Sequence, residues 1–235
     1  GAPVLPVAVS GTENVRRGFR IRPRKVDIRV GRPMSFPQSE QPSPALAASV
    51  TSRIWPNIEL QWEDIGGLPP MRRAAVIGAG SWGTAVAVLL ARGGLEVQLG
   101  TRTPDQAEAI ATARENERYL PGVRLPEAIE VRPSSQIELA GIDLVCLAVP
   151  SASYPQAVGA LSDRIGRRAA ILLLAKGLIA PKGQLPSEYV TERIKTRGVS
   201  CLGGPAHARE AVSGSAALVL GTSDEDLKAQ LGNVF

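Results

Sequence analysis

The chain has 235 residues, 44% of them hydrophobic and 21% charged, the profile of an ordinary globular protein with material for one large or two small cores. No apolar run reaches the roughly 18 residues that a membrane helix needs, and the N-terminus does not read as a signal peptide. The formal net charge of +5 is unevenly spread: Arg16, Arg17, Arg20, Arg22, Arg24, Lys25 and Arg29 crowd one stretch whose only aromatic residue is Phe19. Such a patch suits nucleic acid, anionic lipid or a phosphorylated substrate, or is a solvated strand face; no nucleic-acid-binding motif accompanies it, so no nucleic-acid partner is expected.

In chain order, Pro3 to Val9 reads as a buried apolar strand interrupted by Pro6. Val26, Ile28 and Val30 alternate with Lys25, Asp27 and Arg29, the period-two pattern of a half-buried strand. Ala45 to Trp55 reads as a helix, and Pro56 as the start of a second helical turn running to Asp64. The breaker cluster Gly66-Gly67-Leu68-Pro69-Pro70 closes this piece, which predicts a domain boundary at 70/71, with a small α/β unit over 1–70 and a larger one over 71–235.

The larger piece opens on the apolar run Ala74 to Ile77, followed by Gly78-Ala79-Gly80-Ser81-Trp82-Gly83 and an apolar helical pattern. In a G-x-G-x-x-G loop between strand and helix, Gly78 serves the tight turn, Gly80 lets a pyrophosphate approach the backbone, and Gly83 lets the helix pack on the strand. Strands are predicted over 73–77, 95–100, 142–149, 170–175, 200–203 and 216–221, and helices over 82–92, 104–114, 152–164, 186–196 and 223–233. Gly93-Gly94 stops the first of these helices, Thr103-Pro104 starts the next, and Ser223 with Asp226 suggests a further cap. The alternation predicts an α/β fold with a doubly wound, mostly parallel Rossmann-type sheet, behind a small α/β N-terminal piece.

Cys146 and Cys201 lie in apolar strand-like segments and read as buried free thiols in a reducing cytoplasm. The single histidine, His207, excludes a multi-histidine metal cluster, and no metal is expected. At the end of the second strand, Val97 to Arg102 holds no carboxylate to bind a ribose, so Arg102 is either a partner for a 2′-phosphate, favouring NADP over NAD, or an ordinary surface arginine. Pro150 ends the third strand at the ligand-bearing edge, where it either fixes a loop beside a cofactor or merely terminates the strand. Lys176 follows the next strand and can hold a phosphate or carbonyl oxygen, join in proton transfer, or simply be solvated.

Four motifs in order, the GAGSWGTA loop, Asn116-Glu117-Arg118-Tyr119-Leu120-Pro121-Gly122, Lys176-Gly177 and Gly204-Pro205-Ala206-His207-Ala208-Arg209-Glu210, resemble the N-terminal domain of bacterial NAD(P)-dependent glycerol-3-phosphate dehydrogenases. The resemblance runs from Met71 to Phe235. It implies hydride transfer between NAD(P)H and dihydroxyacetone phosphate, giving sn-glycerol 3-phosphate for phospholipid synthesis by a homodimer. It implies dinucleotide contacts from Ser81, Trp82, Arg102 and Ala208, contacts to both cofactor and substrate from Lys176, and substrate contacts at Gly204 and Ala206. Two positions depart from the family pattern. Ala206 stands where that family carries Ser or Thr, losing a hydrogen bond of about 1 kcal/mol. His207 stands where an aromatic residue is usual; it either reaches a phosphate or, as the preferred expectation, substitutes for that residue in packing. The family's helical C-terminal domain, with its second essential lysine, is absent, and both ends of the chain read as cut. The chain as given is therefore expected to bind nucleotide without turning over.

Residues 1–70 resemble the tail of a 1-acylglycerol-3-phosphate acyltransferase, through Ala2 to Thr12, Ile21 to Lys25 and Ile28 to Pro33. That family's chemistry rests on a histidine four residues before an aspartate, which this piece lacks, so the expectation is a non-catalytic remnant of a gene fusion or of adjacent genes read as one frame. Two alternatives accompany the leading reading. One is another NADP-linked enzyme of the hydroxyacid or 6-phosphogluconate type. The other is a basic membrane-surface module, docking through 1–70, with the nucleotide fold as sensor.

Overall fold

The computed structural model describes residues 3–12, 16–17, 20–21, 25–38, 43–65 and 70–235. Gly66 to Pro69 of the breaker cluster, and Phe19, Arg22 and Arg24 of the basic stretch, lie outside the described residues. The chain divides into two compact units, Gly1–Pro69 and Pro70–Phe235.

In the first unit β1 (Val7–Ser10) is followed by a short antiparallel pair, β2 (Arg16–Arg17) and β3 (Arg20–Ile21), and then by β4 (Asp27–Val30), which pairs antiparallel with β1. The expected strand from Pro3 is thus shorter and later, with Val4 only bridging to Met34. The alternation over 25–30 does form a strand, but its apolar side is the open one: Ile28 is 63% exposed and Val30 56%. Helix α1 (Pro44–Asp64) packs on the other face, where Ala8 and Ser10 are buried and Arg29 meets Asp64 at 3.4 Å. Ser43 caps α1 by accepting from the Leu46 N–H at 3.2 Å. The break expected at Pro56 does not occur: α1 is one helix of 21 residues with Pro56 inside it. None of its residues is buried, so the proline ring displaces no core packing, and the carbonyl left without its helical donor is that of the exposed Ser52, which water can reach.

The second unit alternates throughout: β5 (Arg73–Ile77), α2 (Ser81–Arg92), β6 (Glu96–Thr101), α3 (Pro104–Ala113), β7 (Ile129–Pro133), β8 (Leu144–Leu147), α4 (Tyr154–Leu161), β9 (Ala170–Leu173), α5 (Pro186–Arg193), β10 (Gly198–Gly203), α6 (Ala208–Ser213), β11 (Val219–Gly221) and α7 (Glu225–Val234). The seven strands form one sheet in the order β11-β10-β9-β8-β5-β6-β7, parallel except for β11, which is antiparallel to β10. Both faces are buried. Ala74 and Val76 pack with α2, α3 and α7, while Ala75 and Ile77 pack with Tyr154, Val158 and Leu161 of α4 and Val190 of α5. This two-sided burial is why the strands carry apolar runs.

Two elements of the second unit lie outside the predicted ones, as do β2 and β3 of the first. β7 alternates buried Ile129 and Val131 with exposed Glu130 and Arg132, and as a short edge strand ending on Pro133 it lacks the continuous apolar run of its neighbours. α6 is only six residues long, too short for a helical period to show. Caps are partly as expected. Thr103 accepts from the Gln106 N–H at 3.3 Å, but α7 is capped by Asp224, not Ser223, through its Oδ1 at 2.9 Å from the N–H groups of Asp226 and Leu227. Among the described residues no helix is long and apolar enough to cross a membrane.

Candidate functional site

The sheet reverses its winding between β5 and β8: the chain moves outward through β6 and β7, then returns to β8 and builds in the opposite direction. The loops at the carboxyl ends of these two strands therefore splay apart and leave a crevice, the place where an open α/β sheet takes a ligand. The first loop is 78–80. Gly78 has φ +114°, and a Cβ there would meet the Ala148 carbonyl oxygen at 2.7 Å, so only glycine fits against β8. Gly83 brings the first turn of α2 equally close, since its Cβ would meet that of Ala148 at 2.8 Å.

Gly80 differs from both. A Cβ on it would find no atom within 4 Å, so the space in front of it is open. It is the N-cap of α2 and supplies no side-chain acceptor. The first-turn N–H groups thus face an open cradle with the positive end of the helix dipole behind them, which suits a pyrophosphate.

The buried Asn116 supports this loop from behind. Its Nδ2 donates to the Ala79 carbonyl at 2.9 Å and to Thr84 Oγ1 at 2.8 Å. The turn that follows is held as well: the Gly122 N–H donates to Glu115 Oε1 at 2.6 Å, and the Arg209 guanidinium donates to the Pro121 carbonyl at 2.7 Å. In the sequence Asn116 opens its motif with no role of its own. Its one signal is a polar residue in a segment that buries Leu120 and Leu125.

The remaining expected site residues fall into two groups. Arg102 is exposed directly after β6, with its N–H donating to Gln106 Oε1 at 3.3 Å. Pro150 is exposed after β8 and opens a single 3-10 turn over Ser151–Ser153. Lys176 is exposed after β9, its Nζ 5.8 Å from the Trp82 ring centre, and a Cβ on the adjoining Gly177 would stand 3.0 Å from Ser151 Oγ. Gly80, Trp82, the Pro150–Ser151 turn and Lys176 therefore share one mouth. The Trp82 indole N–H is buried there with no hydrogen-bond partner. Gly204, Ala206 and Ala208 belong to the segment after β10. Gly204 has φ +133° and packs against the Ala217 carbonyl, Ala206 is buried, and Ala208 begins α6, which lies along α2.

Two expectations change here. His207 is not a packing residue but an exposed N-cap of α6, its N–H donating to Glu210 Oε2 at 3.0 Å. Cys201 is exposed on β10, and only Cys146 is a buried thiol, which burial drives well above the ordinary range. Tyr154 lies beneath the β8 loop, fully buried, and donates to the Leu147 carbonyl at 3.2 Å; burial pushes its phenol up to about 12, so it packs rather than transfers protons. Among the described residues no cluster of ligands could hold a metal ion.

The family described as "NAD-dependent glycerol-3-phosphate dehydrogenase N-terminus" matches residues 73–228. A glycerol-3-phosphate dehydrogenase (NAD(P)+) of Deinococcus radiodurans is 43% identical over 155 residues, covering 66% of this chain and 45% of the relative. The corresponding protein of Chlorobium limicola is 41% identical over 139 residues, covering 58% and 42%. Among solved structures, a glycerol-3-phosphate dehydrogenase from Coxiella burnetii superposes with a TM-score of 0.66 at 27% identity, covering 71% of this chain and 52% of that one. The chain thus spans about half the length of the relatives it matches.

Proposed function

Since the chain belongs to the family of NAD-dependent glycerol-3-phosphate dehydrogenases through their N-terminal domain, we propose that residues 71–235 are the dinucleotide-binding half of an enzyme interconverting dihydroxyacetone phosphate and sn-glycerol 3-phosphate for glycerophospholipid synthesis. The observation that carries this reading is the open cradle at Gly80, set at an uncapped helix N-terminus where the sheet reverses. A bound nicotinamide would supply the hydride.

In this reading the backbone of Gly78, Gly80 and Gly83 shapes the pyrophosphate cradle, and the Ser81 and Trp82 N–H groups face it. Arg102, alone at the end of β6 without a carboxylate, takes the 2′-phosphate, so NADP is favoured over NAD. Pro150 and Ala208 border the dinucleotide. Lys176 reaches both cofactor and substrate, holding a substrate oxygen or phosphate by its positive charge. Gly204 and Ala206 border the substrate, with Ala206 lacking the hydroxyl that the family pattern carries. Homodimer assembly and a cytoplasmic location belong to the same reading; the two free cysteines are consistent with a reducing compartment. Residues 1–70 are read as a non-catalytic remnant like the tail of a 1-acylglycerol-3-phosphate acyltransferase, with any membrane-surface contact confined to them.

The test is calorimetric titration of NADPH and NADH into the full chain, beside Gly80→Asp. Binding by the wild type that Gly80→Asp abolishes, with the melting transition retained, supports the site. A folded wild type that binds neither nucleotide overturns it.

A further inference from the structure

We infer that Asn116 is a positioning residue for the nucleotide loop: its amide locks the distance between the Ala79 carbonyl and the Thr84 hydroxyl, and so sets the direction of the α2 N–H groups. This rests on the dinucleotide reading above. Ala79 lies between the two loop glycines and Thr84 in the first turn of the helix, so the two acceptors bracket the cradle. One planar amide holds both, at 2.9 and 2.8 Å, from a side chain that is only 2% exposed. Thr84 is fully buried, so neither bond has water as a ready substitute.

The bracket is needed because of Gly80. Nothing lies within 4 Å of its Cβ position, and no side chain caps the helix, so the loop has no packing of its own to hold it open at that point. Gly78 and Gly83 fit closely against Ala148 at the end of β8, while Asn116 holds the loop from its own buried position through Ala79 and Thr84. Asn116 is itself anchored. Its carbonyl accepts from the N–H groups of Tyr119 at 3.1 Å and Leu120 at 2.7 Å, and the turn's far end is tied to α6 by Arg209. A carboxylate in its place could not donate to either acceptor, which makes the amide, not merely polarity, the required chemistry. The cradle is thus fixed before any ligand arrives, and its donors need no reordering on binding.

The experiment compares wild type, Asn116→Ala and Thr84→Val in the full chain. Thr84→Val removes one acceptor while leaving the Ala79 bond, and guards against a failure of Asn116→Ala to fold. NADPH affinity is measured by calorimetry beside that of adenosine 2′-phosphate, which lacks the pyrophosphate. The expected result is a loss of about tenfold or more in NADPH affinity for Asn116→Ala and a smaller loss for Thr84→Val, with adenosine 2′-phosphate unchanged. Hydrogen exchange is expected to quicken over residues 78–84 and not over β8 or β9. Unchanged NADPH affinity in folded variants overturns the inference, and so does an equal loss for both ligands, which marks general destabilisation. A wild type that binds no NADPH overturns the dinucleotide reading itself, and this inference with it.

Discussion

The Lys176 ammonium stands 5.8 Å from the centre of the Trp82 ring, so the loop after β9 and the first turn of α2 meet at the mouth of the crevice. A cation over an indole face at this range is held by about 0.5–1 kcal/mol in an exposed setting. Lys176→Met is therefore expected to lower the stability of the second unit by no more than about that amount, while changing the emission of Trp82. The measurement is fluorescence in a chain whose Trp55 and Trp62 are replaced by Phe. Identical spectra with lysine and methionine would show that the pair does not persist in solution.

The loop glycines are expected to separate into two kinds. Gly78→Ala places a Cβ 2.7 Å from the Ala148 carbonyl at φ +114°, so denaturant unfolding should show a loss of about 2–4 kcal/mol. Gly80→Ala meets nothing within 4 Å and its φ of −75° suits any residue, so the loss should stay within about 1 kcal/mol. Equal losses at the two positions would contradict the packing described.

Arg102→Ala tests nucleotide choice. The side chain is exposed and carries no structural burden, so the melting temperature should hold. Affinity for NADPH should fall roughly 10- to 100-fold, as for a lost charge-assisted contact, with NADH affinity nearly unchanged. A parallel loss for both nucleotides would assign the arginine to another part of the ligand.

Alkaline stability follows from Tyr154. Burial raises its phenol from the ordinary 10.0 to about 12. Below pH 10 both folded and unfolded phenols are protonated and the contribution is complete. Between about pH 10 and 12 only the unfolded one releases its proton, so stability falls as pH rises, by up to roughly 2–3 kcal/mol. Burial of the Cys146 thiol acts in the same direction, starting lower. The informative quantity is therefore the difference between wild type and Tyr154→Phe. That variant should lose less stability across this window, at a neutral-pH cost of about 1 kcal/mol, because Leu147 keeps its second donor, the Leu174 N–H at 3.1 Å. Parallel pH profiles would exclude the phenol as the source.

Thiol labelling should separate the two cysteines. An aromatic disulfide reagent is expected to modify Cys201 in the native protein, slowly because partial burial raises its thiol, and to reach Cys146 only on unfolding. Two native equivalents would place Cys146 outside the core.

Elements with local causes are legible in the chain alone. The apolar runs of β5, β8 and β9 are unbroken because both faces of the sheet are covered. Gly93 stops α2 and Thr103 starts α3 through groups adjacent in the chain. The glycine loop after β5 is legible for the same reason, its glycines answering to a turn and a helix start a few residues apart.

The other features depend on contacts between distant segments. β7 becomes a strand because β6 offers it an edge, which its alternating, proline-ended segment does not announce. The apolar side of β4 lies open because α1 takes the opposite face, and periodicity cannot say which face is covered. Cys201, also in an apolar run, is exposed near the sheet's edge for the same reason. Asn116 meets Ala79 and Thr84 across 37 and 32 residues of chain. A hydrogen bond of that span leaves no periodicity behind, because it depends on where two distant segments are brought together and not on what either would form alone.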